Sequence, residues 1–189
     1  MDIKNFIKIY DDVLPLKILS NLLKTINTFN FEEGRVVGGD TGVVAHNIRK
    51  TKIKNLSPLT ESFTLTHWSN FLAKTFQDHM DRFKQDLNIL EFPKIGINNI
   101  AVLKYEGEGF YTWHVDHCMQ APRTLSCILL LNNDYEGGDI CFRNPDGSNE
   151  WAVDVKSNRM IIWPSTFLFP HAVKPVTKGI RYSVVAWAI

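Results

Sequence analysis

The chain has 189 residues and a mass of 21.7 kDa, near the roughly 150 residues of a single domain, and long enough to bury a core without disulfide staples. Lys plus Arg number 21 and Asp plus Glu 20, so the net charge is +1, which argues against a strongly basic nucleic-acid binder. Hydrophobic residues at 44% and charged residues at 22% are those of an ordinary soluble globular protein.

The N-terminal ten residues alternate polar and apolar and carry Asp2, Lys4 and Lys8; they lack the continuous apolar segment of a signal peptide. No stretch is apolar for long enough to span a bilayer, so a cytoplasmic protein without membrane contact is the expectation. Residues 13–29 place Leu14, Ile18, Leu19, Leu22, Leu23 and Ile26 on one helical face, with Pro15 in the first turn, where its missing N–H costs nothing. The segment 34–47 holds Gly34, Gly38, Gly39 and Gly42 and reads as a mobile loop. Arg49, Lys50, Lys52 and Lys54 follow it and read as a solvated charged face. A second helix is predicted over 58–86, with Phe63, Trp68, Leu72, Phe76, Met80 and Phe83 among its broad apolar face.

From about Ile97 the period changes. Short β-rich runs at 99–105, 111–116, 124–131, 139–143, 151–155, 159–163, 167–173 and 180–188 alternate with turn signals such as Gly137-Gly138 and Pro145-Asp146-Gly147. Strands at this spacing predict an all-β sandwich or barrel, and helices that precede rather than alternate with strands disfavour a parallel α/β sheet. The expectation is one domain spanning 1–189. Its fold class is α+β, mainly β: helical support and a loop in 1–95, and a double-stranded β-helix (jelly roll) core in 96–189. Trp113 and Trp187 read as core residues. The three cysteines, Cys118, Cys127 and Cys141, have no CxxC spacing and fit a reducing compartment rather than a disulfide framework.

The residues that carry chemistry are His114, Asp116, His171 and Arg181. On a strand, residues i and i+2 share a face, so His114 and Asp116 can present an imidazole and a carboxylate together. With His171 from a distant strand they make two histidines and one carboxylate, a set that occupies one face of a metal and leaves the other open, as in non-haem iron(II) oxygenases. Taken singly, each residue has an ordinary structural explanation, and the same set can bind zinc in a hydrolase. Arg181 lies ten residues beyond His171. Inside a small barrel its charge is costly unless paired; no acid on its strand can pair it, and a ligand carboxylate can.

Four stretches carry a resemblance: Tyr105 to Asp116 (YEGEGFYTWHVD), Arg123 to Asn132 (RTLSCILLLN), Tyr135 to Asp139 (YEGGD), and the last part with Trp163-Pro164-Ser165, His171 to Val176 and Gly179 to Trp187 (GIRYSVVAW). Over about the last half of the chain the sequence resembles the iron(II)- and 2-oxoglutarate-dependent dioxygenases of the prolyl 4-hydroxylase-like branch. The resemblance implies iron(II) on His114, Asp116 and His171, with 2-oxoglutarate and oxygen at the open positions. It implies Arg181 on the distal carboxylate, where many prolyl hydroxylases use lysine, a hydrogen bond from Tyr105 to 2-oxoglutarate, Tyr111 near the reacting centre, and ascorbate as an auxiliary reductant. Some members carry a tyrosine at the position of Leu130; Ser183 can supply a further hydrogen bond here. Ile128, Leu130, Ile161, Trp163 and Val173 are candidates for dry walls. The implied reaction is hydroxylation of a C–H bond in a prolyl residue of a peptide or protein, with segment 34–47 closing over the substrate. The alternatives are hydroxylation of another side chain or a small molecule, and an inactive jelly-roll binding module.

Overall fold

Side chains alternate across a strand, and in the C-terminal half that alternation divides two cores. Along residues 125–131 the odd positions Leu125, Cys127, Leu129 and Leu131 join one apolar cluster, while Ile128 and Leu130 join another. The strand is therefore buried on both faces, and its nearly unbroken apolar run follows from that. The computed structural model describes residues 2–36, 42–56, 62–92 and 94–189.

In chain order the elements are β1 (Lys8–Tyr10), α1 (Leu16–Ile26), β2 (Glu32–Glu33), β3 (Arg49–Lys50), β4 (Lys52–Leu56), α2 (Phe63–Asp86), β5 (Ile97–Glu106), β6 (Gly109–His114) and β7 (Leu125–Leu130). There follow β8 (Glu136–Gly137), β9 (Ile140–Phe142), β10 (Trp151–Val153), β11 (Arg159–Pro164), β12 (His171–Lys178) and β13 (Ile180–Ala188). One sheet runs β1-β11-β7-β13-β5-β4-β2 and the other β10-β9-β12-β6-β3, with β8 also on β12; every pairing is antiparallel. The larger sheet turns Ile100, Val102, Val184 and Ala186 toward the helices. Its other face, with Leu103, Tyr105 and Val185, looks into the space between the sheets. This is the α+β, mainly β jelly roll that the strand spacing predicts.

Both helices lie on the outer face of the larger sheet. In α1 Leu19, Leu22 and Ile26 are buried at helical spacing, and in α2 Leu72, Phe76, Met80 and Phe83 are fully buried. Each such side chain contributes about 1.5–3 kcal/mol on burial. Ser62 caps α2 by accepting from the Leu65 N–H. α2 thus begins at Phe63 rather than at 58; residues 57–61 lie outside the described residues.

The first half is not only helical support. Four strands from it join the two sheets. β1 pairs with β11, β4 with β5 over five residues, and β3 with β6. Ile53 packs into the inner core and Leu56 into the helical one, so the lysines between them do not prevent a strand.

β1 is tied to α2 by Tyr10, whose hydroxyl donates to Asp86 Oδ2 at 2.9 Å. Burial, then this bond, pushes the Tyr10 pKa well above the usual phenol value of 10.0. The folded protein therefore holds this proton more tightly than the unfolded chain does. Its contribution is complete below pH 10 and is lost as pH rises from there through the raised folded-state value. Tyr10→Phe is expected to cost about 1 kcal/mol at neutral pH. The gap between the two proteins in urea unfolding should close above pH 10, and a gap independent of pH would discount the bond.

Candidate metal centre and active site

β6 and β12 lie side by side and bring the two histidines together. His171 stands opposite His114, and Val173 opposite Tyr111. Three residues of β12 thus face four of β6. This bulge re-aims the side chains: Tyr111 and His114, three apart, share a face and stack at 3.6 Å between ring centroids. Trp113 points away, between Arg143 and Lys174. It is half-buried rather than a core residue, and Trp187, also half-buried, lines the cavity beneath Arg123.

The strand ends at His114, and Asp116 follows in the turn. One ligand atom from each of His114, Asp116 and His171 lies within 4.8 Å of the others. His114 Nε2 is 3.8 Å from Asp116 Oδ1, and His171 Nε2 is 3.4 Å from Asp116 Oδ2. The opposite ring nitrogens face backbone carbonyls, His114 Nδ1 that of Thr112 at 2.8 Å and His171 Nδ1 that of Phe169 at 3.1 Å. A carbonyl only accepts, so both Nδ1 atoms carry a proton and Nε2 is the nitrogen that each ring turns to the cluster. Burial, reinforced by the neighbouring His171, lowers the His114 pKa to about 3, which keeps the ring neutral as a ligand must be. Burial opposes a charge on Asp116, but His171, His114 and Arg123 outweigh it and hold the carboxyl well below the usual carboxylate range. Two imidazoles and one ionised carboxylate fit iron(II).

Asp116 is held from behind. Ser126 Oγ donates to its Oδ2 at 2.7 Å and lies 2.7 Å from Ser165 Oγ, and Arg123 Nη1 reaches Oδ1 at 3.3 Å. Ser126 has Trp163 and Trp187 as its cross-strand neighbours. Its signal in the sequence is a lone hydroxyl within an apolar run, which demands a partner once buried.

The cluster sits at a cavity walled by Leu103, Ile128, Ile140, Val173 and Val185. Of the expected dry walls, Ile128, Trp163 and Val173 line it, while Leu130 and Ile161 pack behind them. On β13 Arg181 and Ser183 face the inter-sheet side and are fully buried. Arg181 Nη1 donates to Ser183 Oγ at 3.1 Å, and its Nε and Nη2 have no partner. Tyr105 is its cross-strand neighbour, with the guanidinium 5.2 Å over the ring. Burial raises the Tyr111 pKa against the opposing charge of Arg49. Arg49 is itself buried and lies 4.7 Å over the Tyr111 ring. It is a cavity residue rather than part of a solvated charged face, because β3 pairs it with Tyr111.

Of the segment 34–47, residues 37–41 lie outside the described residues. At its base Val36 and Val43 form an antiparallel bridge, Gly34 N–H donates to the Thr51 carbonyl, and Arg35 and Val36 line the cavity. No helix among the described residues is long and apolar enough to cross a membrane. Cys118, Cys127 and Cys141 are free thiols.

Residues 100–189 match the model of the 2OG-Fe(II) oxygenase superfamily. A PKHD-type hydroxylase of Aliarcobacter butzleri is 30% identical over 186 residues, and one of Stenotrophomonas maltophilia 33% identical over 186 residues. Each match covers 93% of this chain and 75% of the relative. A prolyl hydroxylase of Trichoplax adhaerens, solved with a peptide fragment of the hypoxia inducible factor oxygen degradation domain, shares the fold. Its TM-score is 0.75 at 20% identity, over 98% of this chain and 84% of that one. With two such relatives along nearly its whole length, the chain belongs to the 2OG-Fe(II) oxygenase superfamily and is a hydroxylase that works with iron(II), 2-oxoglutarate and oxygen.

Proposed function

We propose that this enzyme hydroxylates a prolyl residue within a peptide or protein, with His114, Asp116 and His171 as its iron ligands and Arg181, Tyr105 and Ser183 as the seat of 2-oxoglutarate. The observation that carries the reading is one inter-sheet space with three converging donor atoms at its cavity and a buried guanidinium with two unpartnered nitrogens on β13. Bound iron(II) supplies the redox chemistry that couples the oxidative decarboxylation of 2-oxoglutarate, to succinate and carbon dioxide, to hydroxylation of a C–H bond. The protein's share is orientation and exclusion. His114 and His171 present Nε2 because their Nδ1 protons are committed to carbonyls. Arg181 and Ser183 take the distal carboxylate of the cosubstrate, and Tyr105 donates to it. Tyr111, stacked on His114, stands beside the reacting centre as a protonated hydroxyl. The aliphatic walls keep water from the reaction. Arg35 and Val36, beside the Val36–Val43 bridge, form part of the cavity's wall.

A peptide substrate is supported by the rim. Val115 and Met119 beyond His114, and Phe167 and Leu168 before His171, are exposed large apolar residues on the two loops beside the ligands. The His117 N–H ties one loop to the other through the Ser165 carbonyl. Exposed apolar clusters of this kind mark binding surfaces, and the fold neighbour from Trichoplax adhaerens was solved with a peptide. Mass spectrometry of a proline-containing peptide library after turnover tests the proposal. A gain of one oxygen atom on proline, matched by succinate, is the expected result. Succinate formation matched by oxygen on another residue type would move the substrate assignment, and the absence of any succinate would remove the iron and cosubstrate roles.

Ser126 gives a further expectation. Removing an outer partner of a metal-binding carboxylate typically costs 10–100-fold in metal affinity. Ser126→Ala is therefore expected to weaken iron(II) binding about tenfold in an anaerobic competition titration with a chelator. Unchanged affinity would mean that Arg123 alone orients the carboxylate.

A further inference from the structure

The turn that carries β8 contains a side chain with no role in the reading above. Gly137 and Gly138 both have positive φ, 73° and 69°, a conformation that glycine adopts without strain. At Gly138 space matters as well. A Cβ there would stand 2.9 Å from Cδ of Arg181 and 3.2 Å from Cε2 of Tyr135. The bare backbone thus lets the arginine stem and the tyrosine ring lie against the same point of the turn.

Both side chains end in polar atoms that nothing satisfies. The Tyr135 hydroxyl is buried without a hydrogen-bond partner, as are Arg181 Nε and Nη2. Burial raises the Tyr135 pKa, over the opposing charge of Arg181 and a guanidinium N–H turned toward the tyrosine oxygen, so the hydroxyl keeps its proton and can donate it. A guanidinium can only donate. Leu130 and Leu103, the cross-strand neighbours of Ser183, offer no polar atom. Three buried groups able to donate, with no acceptor beside them except the Tyr135 oxygen itself and none at full hydrogen-bond geometry, call for an explanation. A carboxylate, which only accepts and has about four lone-pair sites, satisfies all three.

We propose that Tyr135, seated against Gly138, is a further anchor for the distal carboxylate of 2-oxoglutarate and donates its hydroxyl to the group that Arg181 pairs. The proposal rests on the reading of Arg181 given above and adds to it a residue from outside β13. It gives the Gly137-Gly138 turn a task beyond reversing the chain: a side chain at 138 would displace the arginine or the tyrosine.

The test is isothermal titration of manganese(II)-loaded protein with 2-oxoglutarate, comparing the wild type with Tyr135→Phe, alongside the melting temperature of each without cosubstrate. A hydrogen bond to a charged group is worth about a tenfold change in affinity or more. The expected result is a dissociation constant raised about tenfold in Tyr135→Phe. The ligand-free melting temperature should stay unchanged or rise, because the variant lacks a buried unpartnered hydroxyl. A dissociation constant within about threefold of wild type would overturn the proposal. So would weaker binding accompanied by a lower ligand-free melting temperature, since that is the signature of a tyrosine that merely braces Arg181. Failure of the wild type itself to bind 2-oxoglutarate would overturn the assignment of Arg181, and the Tyr135 anchor with it.

Discussion

Replacing His171 by alanine is expected to lower iron(II) affinity by more than about 100-fold, beyond what the loss of an outer partner costs. Three donor atoms converge at this end of the cavity, and no other group of three such side chains is found among the described residues. The variant would keep one imidazole and one carboxylate, too few to hold the ion firmly. His171 is buried with its ring centroid 4.2 Å from that of His114 and 4.9 Å from that of Trp163, so the substitution also opens a cavity, at a cost of about 2–5 kcal/mol. A melting curve should therefore accompany the titration, to show that the variant is folded. Titration with iron(II) against a chelator under anaerobic conditions decides the matter. Affinity within about threefold of wild type would place the metal elsewhere. Chelation of the wild type should stop succinate formation, with activity returning on addition of iron(II).

The parts of the fold that were legible in the sequence are those where burial sets the pattern. β7 reads as an apolar run because both of its faces are covered, and the stripe of Leu19, Leu22 and Ile26 reads as a helix because one face is. β1 and β4 were not legible. β1 is three residues long, and in β4 the lysines at 52 and 54 mask Ile53 and Leu56, which serve opposite cores. The run 167–173 reads as a strand, yet pairing begins only at His171. Phe169 closes a turn on Thr166 instead, and Pro170, which has no N–H to give, separates that turn from the strand. At the site, His114, Asp116, His171 and Arg181 stand out as residue types that a barrel interior does not hold without reason. The alignment of Tyr111 with His114 was hidden, because it depends on a bulge set by the register against β12. Arg49 was hidden too: among lysines it looks solvated, and only its pairing opposite Tyr111 turns it inward. Tyr135 carries no signal of its own, because only the turn at Gly138 brings its ring to the arginine stem.

Arg181→Met separates stability from function in opposite directions. Methionine is unbranched and adaptable, so it can fill the path of the arginine stem past Gly138 while removing the guanidinium. Without cosubstrate that guanidinium is fully buried, has one hydrogen bond to Ser183, and leaves Nε and Nη2 without partners. A buried donor with no acceptor costs about 1–3 kcal/mol, and replacing buried charge with apolar atoms of similar volume is often neutral or stabilising. The ligand-free variant is therefore expected to be as stable as wild type in urea unfolding, or more stable. Its affinity for 2-oxoglutarate is expected to fall about 100-fold or more, because removing one partner of a buried charge pair costs about 2–5 kcal/mol. Titration of the manganese(II)-loaded variant with 2-oxoglutarate reads the second effect. Undiminished affinity would show that the distal carboxylate binds elsewhere. A large loss of stability without cosubstrate would show instead that the arginine is a structural residue whose partner lies within the protein.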